Sequence, residues 1–109
     1  MAGKKAIPDE VRAEVELRVA RFNREVVKNP RRQFSVRFRG KNAYLDREEY
    51  GRVGPRARLT YTGDMEQWEF AIFRYSREFY DPDEWMFPGA GHVDGTVEGA
   101  LRAAMEAYP

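Results

Sequence analysis

The sequence predicts a single α+β domain, a four-stranded antiparallel meander flanked by an N-terminal and a C-terminal helix in the order α-β-β-β-β-α. Three observations predict it. Apolar residues recur at helical spacing near both ends, period-two alternation fills the middle, and glycine-bearing turn signals separate the alternating runs closely enough for hairpins.

The first helix is expected over Ile7 to Val27, because Val11, Val15, Val19, Phe22 and Val26 recur at spacings of four, four, three and four. Pro8 suits a helix start, Asp9 and Glu10 favour the positive end of the helix dipole, and Asn29-Pro30 supplies the stop. In Gln33 to Arg39 the period becomes two: Phe34, Val36 and Phe38 face one way, Ser35, Arg37 and Arg39 the other. Gly40-Lys41-Asn42 turns the chain into a partner strand, Ala43 to Arg47. Glu48 to Pro55, broken by Gly51, Gly54 and Pro55, reads as a loop. Arg56 to Tyr61 alternates again, with Arg56 and Arg58 on the polar side, and Gly63-Asp64 leads into Trp68 to Tyr75. That last strand is apolar on both faces, so the aromatic loop Phe79 to Pro88 is expected to cover the face the helices leave open, with Trp85 buried as core. Asp94 or Thr96 then caps a helix that ends at Tyr108 and places Val97, Leu101, Ala104 and Met105 on one face.

A chain of 109 residues is one domain, able to bury roughly two-thirds of its unfolded surface. With 42% apolar residues, disorder is expected only in a tail, residues 1–6, ahead of the domain at 7–109. The absence of cysteine removes disulfides, thiolate chemistry and cysteine-ligated zinc, and fits a reducing, cytoplasmic setting. Neither a signal peptide nor a membrane span is expected, because no run of about 18 apolar residues occurs.

A net charge of +1 hides an asymmetry: residues 1–58 sum to +8 and residues 59–109 to −7. Either the halves neutralise one another through surface pairs, or the first presents a basic face to an anionic partner.

The segments YLDREEYGRVGP, GDMEQWEFAIFRYS, YDPDEWMFPG and HVDGTVEGALRAAMEAYP, over about residues 43–109, resemble those of small prokaryotic proteins that have no established activity. The resemblance implies a shared helix-sheet-helix domain and brings no cofactor or catalytic residue. A looser likeness is to the double-stranded-RNA-binding domain, with its helix, three strands and helix. Here the final helix opens with VDGTVEG in place of that family's lysine-rich start, so its phosphate-gripping residues are missing.

The residues support no catalytic assignment, cofactor or metal. His92 is the single histidine, Ser35 and Ser76 lack a nucleophile-elbow context, and Asp81, Asp83 and Glu84 lack the glycine and twelfth-position glutamate of a calcium loop. Asp81 before Pro82 reads as a turn initiator, although acid-base chemistry among Asp81, Asp83, Glu84 and Asp94 stays open, because spacing within a loop fixes no geometry. Two binding readings follow. In the first, Arg31, Arg32, Arg37, Arg39, Lys41, Arg56 and Arg58 share the polar face of the first three strands with Tyr44 as a stacking group, for nucleic acid or another anionic partner such as an acidic protein. In the second, Trp68, Tyr75, Tyr80, Trp85 and His92 line a small-molecule or enzymatic site under the acidic aromatic loop. A homodimer through a leftover apolar face or edge strand is a further expectation.

Overall fold

In the computed structural model the first helix, α1, runs Asp9–Phe22 and buries Val15, Val19 and Phe22. Its last turn, Asn23–Val27, widens to a π-helix that Lys28 ends in the left-handed conformation. The widening has a visible partner. Asn23 turns inward, donates from Nδ2 to the Phe34 carbonyl at 2.9 Å and accepts the Phe34 N–H on Oδ1 at 2.8 Å, tying the helix end to the first strand. The structure describes residues 6–109. The expected tail therefore lies outside the described residues, apart from Ala6, which is exposed beside a fully buried Ile7.

The sheet has five antiparallel strands rather than four, paired in chain order: β1 Phe34–Arg39, β2 Asn42–Glu49, β3 Arg52–Thr60, β4 Glu69–Arg74 and β5 Phe79–Asp81. β5 lies inside the expected aromatic loop. It is three residues long and closed by Pro82, too short for alternation to reveal, yet it pairs Tyr80 with Phe73 and Phe79 with Arg74. The expected loop Glu48 to Pro55 is also mostly strand: Tyr50-Gly51 alone turns the chain, both residues at positive φ, as a two-residue hairpin requires. Pro55 is tolerated because the register shifts there, between Leu45 and Asp46 on the partner strand. Arg56 is the extra residue of that bulge.

Val36, Phe34, Ala43, Leu45, Ala57, Leu59, Phe70 and Ile72 share the face against α1 and the second helix, α2, Val97–Ala107. Thr96 caps α2 by accepting the Gly99 N–H at 2.9 Å, and Asp94 in turn accepts the Thr96 N–H and hydroxyl. A Cβ on Gly99 would stand 2.3 Å from Asp94 Oδ1, so the VDGTVEG segment is a helix start held against its own cap. After β5 the loop passes to the helix side and not over the open face. Phe87 stacks on Phe70 at 6.1 Å, and Gly89 lies so close to α2 that a Cβ there would meet the Ala103 carbonyl at 2.7 Å. Trp85 is 48% exposed, contrary to the expectation of core cover, and contacts Phe70 from the rim, whereas Trp68 is buried.

No helix among the described residues is long and apolar enough to cross a membrane.

Candidate functional site

The face opposite the helices carries Arg37, Tyr44, Arg58 and Ala71 in one cross-strand row, with Tyr80 arriving from β5. Flat side chains close it. The Arg37 guanidinium lies over the Tyr44 ring at 4.8 Å and Arg58 over Tyr80 at 5.7 Å, while Tyr80 packs against Tyr44 at 5.2 Å and Phe73 at 5.0 Å. This layer buries Ala71 and Phe73 and, by desolvation, pushes the Tyr80 phenol above its usual range. Arg37 also forks onto Asp46 at 2.7 and 3.2 Å. Among the described residues no carboxylate stands within ion-pair distance of Arg39, Lys41 or Arg58. Of the expected basic face, the structure thus brings together Arg37, Arg39, Tyr44 and Arg58, with Lys41 at the hairpin tip.

Arg32 and Arg56 do not belong to that face, and Arg31 lies exposed in the loop before β1. The bulge in β3 turns Arg56 to the helix side, where strict alternation would not put it. There Arg56 reaches Glu49 at 3.2 Å, the Tyr75 hydroxyl at 2.6 Å and the Tyr108 ring at 5.3 Å. Arg32 forks onto the same Glu49 at 3.0 and 2.9 Å. Arg47, overlooked as an ordinary strand residue, completes the group: it is 3% exposed, lies over the Phe34 ring at 4.8 Å and donates to the Arg32 carbonyl at 2.9 Å. The Arg32 hydrogen bonds hold the Glu49 carboxyl below its usual range, and burial, followed by repulsion from Arg32, pushes the Arg47 guanidinium down. Arg47 and Glu49 could have been noticed from one signal, a charged pair at positions that share a strand face with Leu45.

These pairs also decide how the charge asymmetry is met. Arg32, Arg37 and Arg56 all take carboxylates from their own half of the chain. Among the described ion pairs, Arg18 is the bridge to the acidic half, binding Glu66 at 3.1 Å and Glu98 at 3.5 Å as well as Glu14.

The five residues of the alternative pocket do not converge. Trp68 is core beside Tyr61, Tyr80 lies on the open sheet face, Trp85 on the outer rim of Phe70, and His92 on the outside of α2 near Glu106 at 3.4 Å. Tyr75 alone of the five lines a cleft of about 270 Å³, between Ile72, Glu84, Phe87 and the Tyr108 end of α2. Tyr108 anchors that end by donating its hydroxyl to the Phe73 carbonyl.

The acidic loop residues have structural partners. Asp81 and Glu84 both bind Arg74 at 3.3 Å, Asp81 accepts the Asp83 N–H at 2.9 Å as a turn initiator, and Thr96 hydrogen bonds hold Asp94 below the usual carboxylate range. No trio of His, Asp or Glu among the described residues is placed to hold a metal ion. No protein-family model, curated protein or solved structure matches the chain.

Proposed function

We propose that this protein is a non-enzymatic binding module that takes single-stranded nucleic acid on the open sheet face. One observation carries the reading: Arg37 and Arg58 lie on the rings of Tyr44 and Tyr80, on a face no described helix covers, with Arg39 and Lys41 unpaired beside them. Single strands offer the phosphates and splayed bases that such a surface suits. Arg39, Lys41 and Arg58 would meet phosphates, and the half-buried tyrosines would stack bases on their open edges. Duplexes present no free base to stack.

Fluorescence anisotropy with labelled single-stranded RNA, single-stranded DNA and duplex at two salt concentrations tests this. The expected affinity is micromolar or weaker, with a log-log salt slope of about −2 if the three unpaired cations neutralise phosphates at roughly 0.7 each. Arg39→Glu with Lys41→Glu should abolish binding and leave the fold intact, since both side chains are exposed without a carboxylate partner among the described residues. No change in anisotropy at low salt and about 100 μM protein overturns the proposal.

A second reading, a small-molecule site, keeps one observation, the apolar cleft beside Tyr75 and Tyr108. At about 270 Å³ it falls below the usual ligand-pocket range of roughly 300–1,000 Å³. It therefore ranks second.

A further inference from the structure

We propose that Arg32, Arg47 and Arg56 form a site for one phosphate-type oxyanion, inorganic phosphate or a phosphate monoester, separate from the open sheet face. The stoichiometry is the first argument. Three guanidiniums surround one carboxylate, and that carboxylate is already engaged: Glu49 Oε1 accepts from Arg32 Nε, while Oε2 accepts from Arg32 Nη2 and Arg56 Nη2. None of these bonds reaches Arg47, whose hydrogen bond is to a carbonyl. A permanently charged group is therefore buried beside two others of the same sign with no counter-ion of its own, an arrangement that is unfavourable unless an anion completes it.

Unmet donors are the second argument. Arg47 Nη1 and Arg56 Nε are buried with no acceptor, in side chains of residues only 3% and 7% exposed. Buried donors of native proteins almost always have a partner, and donors on charged groups are the most expensive to leave alone.

Rigidity is the third. Arg47 is flattened on Phe34, and Arg56 is held between the Tyr75 hydroxyl, the Pro55 carbonyl and the Tyr108 ring. Planar forks fixed in this way match tetrahedral oxyanions through paired N–H donors, and little ordering remains to oppose binding. The more exposed side chains, Arg32 and Glu49, form the mouth.

The test is an NMR titration of the arginine Nε–Hε resonances with inorganic phosphate, against chloride at equal ionic strength, supported by thermal melts in both salts. Saturable shifts at Arg32, Arg47 and Arg56, and a saturable rise of the melting temperature in phosphate alone, are expected. Arg32→Gln, at the mouth, should weaken phosphate binding about tenfold or more, the loss of one charge-assisted hydrogen bond. Arg47→Met should abolish the response; if that variant does not fold, Arg32→Gln and the wild-type titration decide. Arg39→Glu with Lys41→Glu should bind phosphate as wild type does, so failure of the nucleic-acid reading leaves this one standing. Unmoved resonances at tens of millimolar phosphate, identical shifts in chloride, or an undiminished response in Arg32→Gln overturn the proposal.

Discussion

On one face of the sheet Leu45, Leu59, Phe70 and Ile72 are closed off by two helices; on the other, Ala71 and Phe73 are also buried with no described helix above them, under Tyr44, Tyr80 and Arg58. The first face is sealed by aliphatic packing, which tolerates neither water nor charge. The second is sealed by rings and guanidinium planes, whose edges stay wet while their faces exclude solvent. A sheet can therefore finish its core on both sides and still offer one side to a partner. The charge follows the same division: on the open face Arg37 meets its own Asp46, and at the end of the helix face Arg32 and Arg56 share Glu49 while Arg47 lies beside them without a carboxylate of its own.

The sharpest way to break this comparison is Leu59→Ala, which empties a fully enclosed site on the helix face. It should cost about 2–5 kcal/mol in a denaturant melt. A loss below about 1 kcal/mol would mean that the helices seal that face no better than side chains seal the other.

Glu49→Gln comes next, at about 2–4 kcal/mol, because it leaves Arg56 buried without a carboxylate and takes the nearest negative charge from Arg47, with the buried-pair range reduced for a part-exposed glutamate. It should also change the acid limb. A carboxyl held below its unfolded value contributes stability that is present above the ordinary glutamate range and lost as pH falls through the folded value. Wild type should thus lose stability below about pH 4.5, and Glu49→Gln should lose less over the same window. Melts from pH 7 to pH 3 on both proteins check the sign.

The smallest effect is expected on the open face. Tyr80→Ala removes ring contacts to Tyr44 and Phe73 and uncovers Ala71 at a cost of about 1–2 kcal/mol. It should leave the helix-face arginine resonances unmoved. If those resonances shift, the two faces are coupled through the sheet.

Much of the frame was legible because it rests on local pattern: the apolar stripe of α1, the Gly40-Lys41 turn, and the Thr96 cap all follow from spacing. What was not legible depends on departures from pattern. Arg56 changes sides because one extra residue sits in β3, and a reading by strict alternation puts it with Arg58. Glu48 and Glu49 read as loop because Gly51, Gly54 and Pro55 follow them closely, yet they continue β2 to its far end, where Arg32 and Arg56 donate to Glu49. Phe79 to Asp81 is too brief to show a period. Of the aromatic residues in 67–89, Trp68, Phe70 and Phe73 are buried, while Tyr75, Phe79 and Trp85 are exposed. Their division between two sheet faces and a rim follows from β5, and with it the expected convergence of Trp68, Tyr80 and Trp85 is lost.

Sheet neighbours here are chain neighbours throughout. Every strand pairing closes a short loop, a low-contact-order step that proceeds quickly. The one act that spans nearly the whole chain is the meeting of α1 with α2. Until it occurs, Leu59 and Ile72 are held on an assembled but half-roofed sheet. During synthesis that interval lasts at least until the residues of α2 have been made, with α1 and the Phe87 loop as the shelter. The Asn23 clamp on Phe34 joins α1 to the first strand early in the sequence, and so shortens the time for which that greasy surface is open to aggregation.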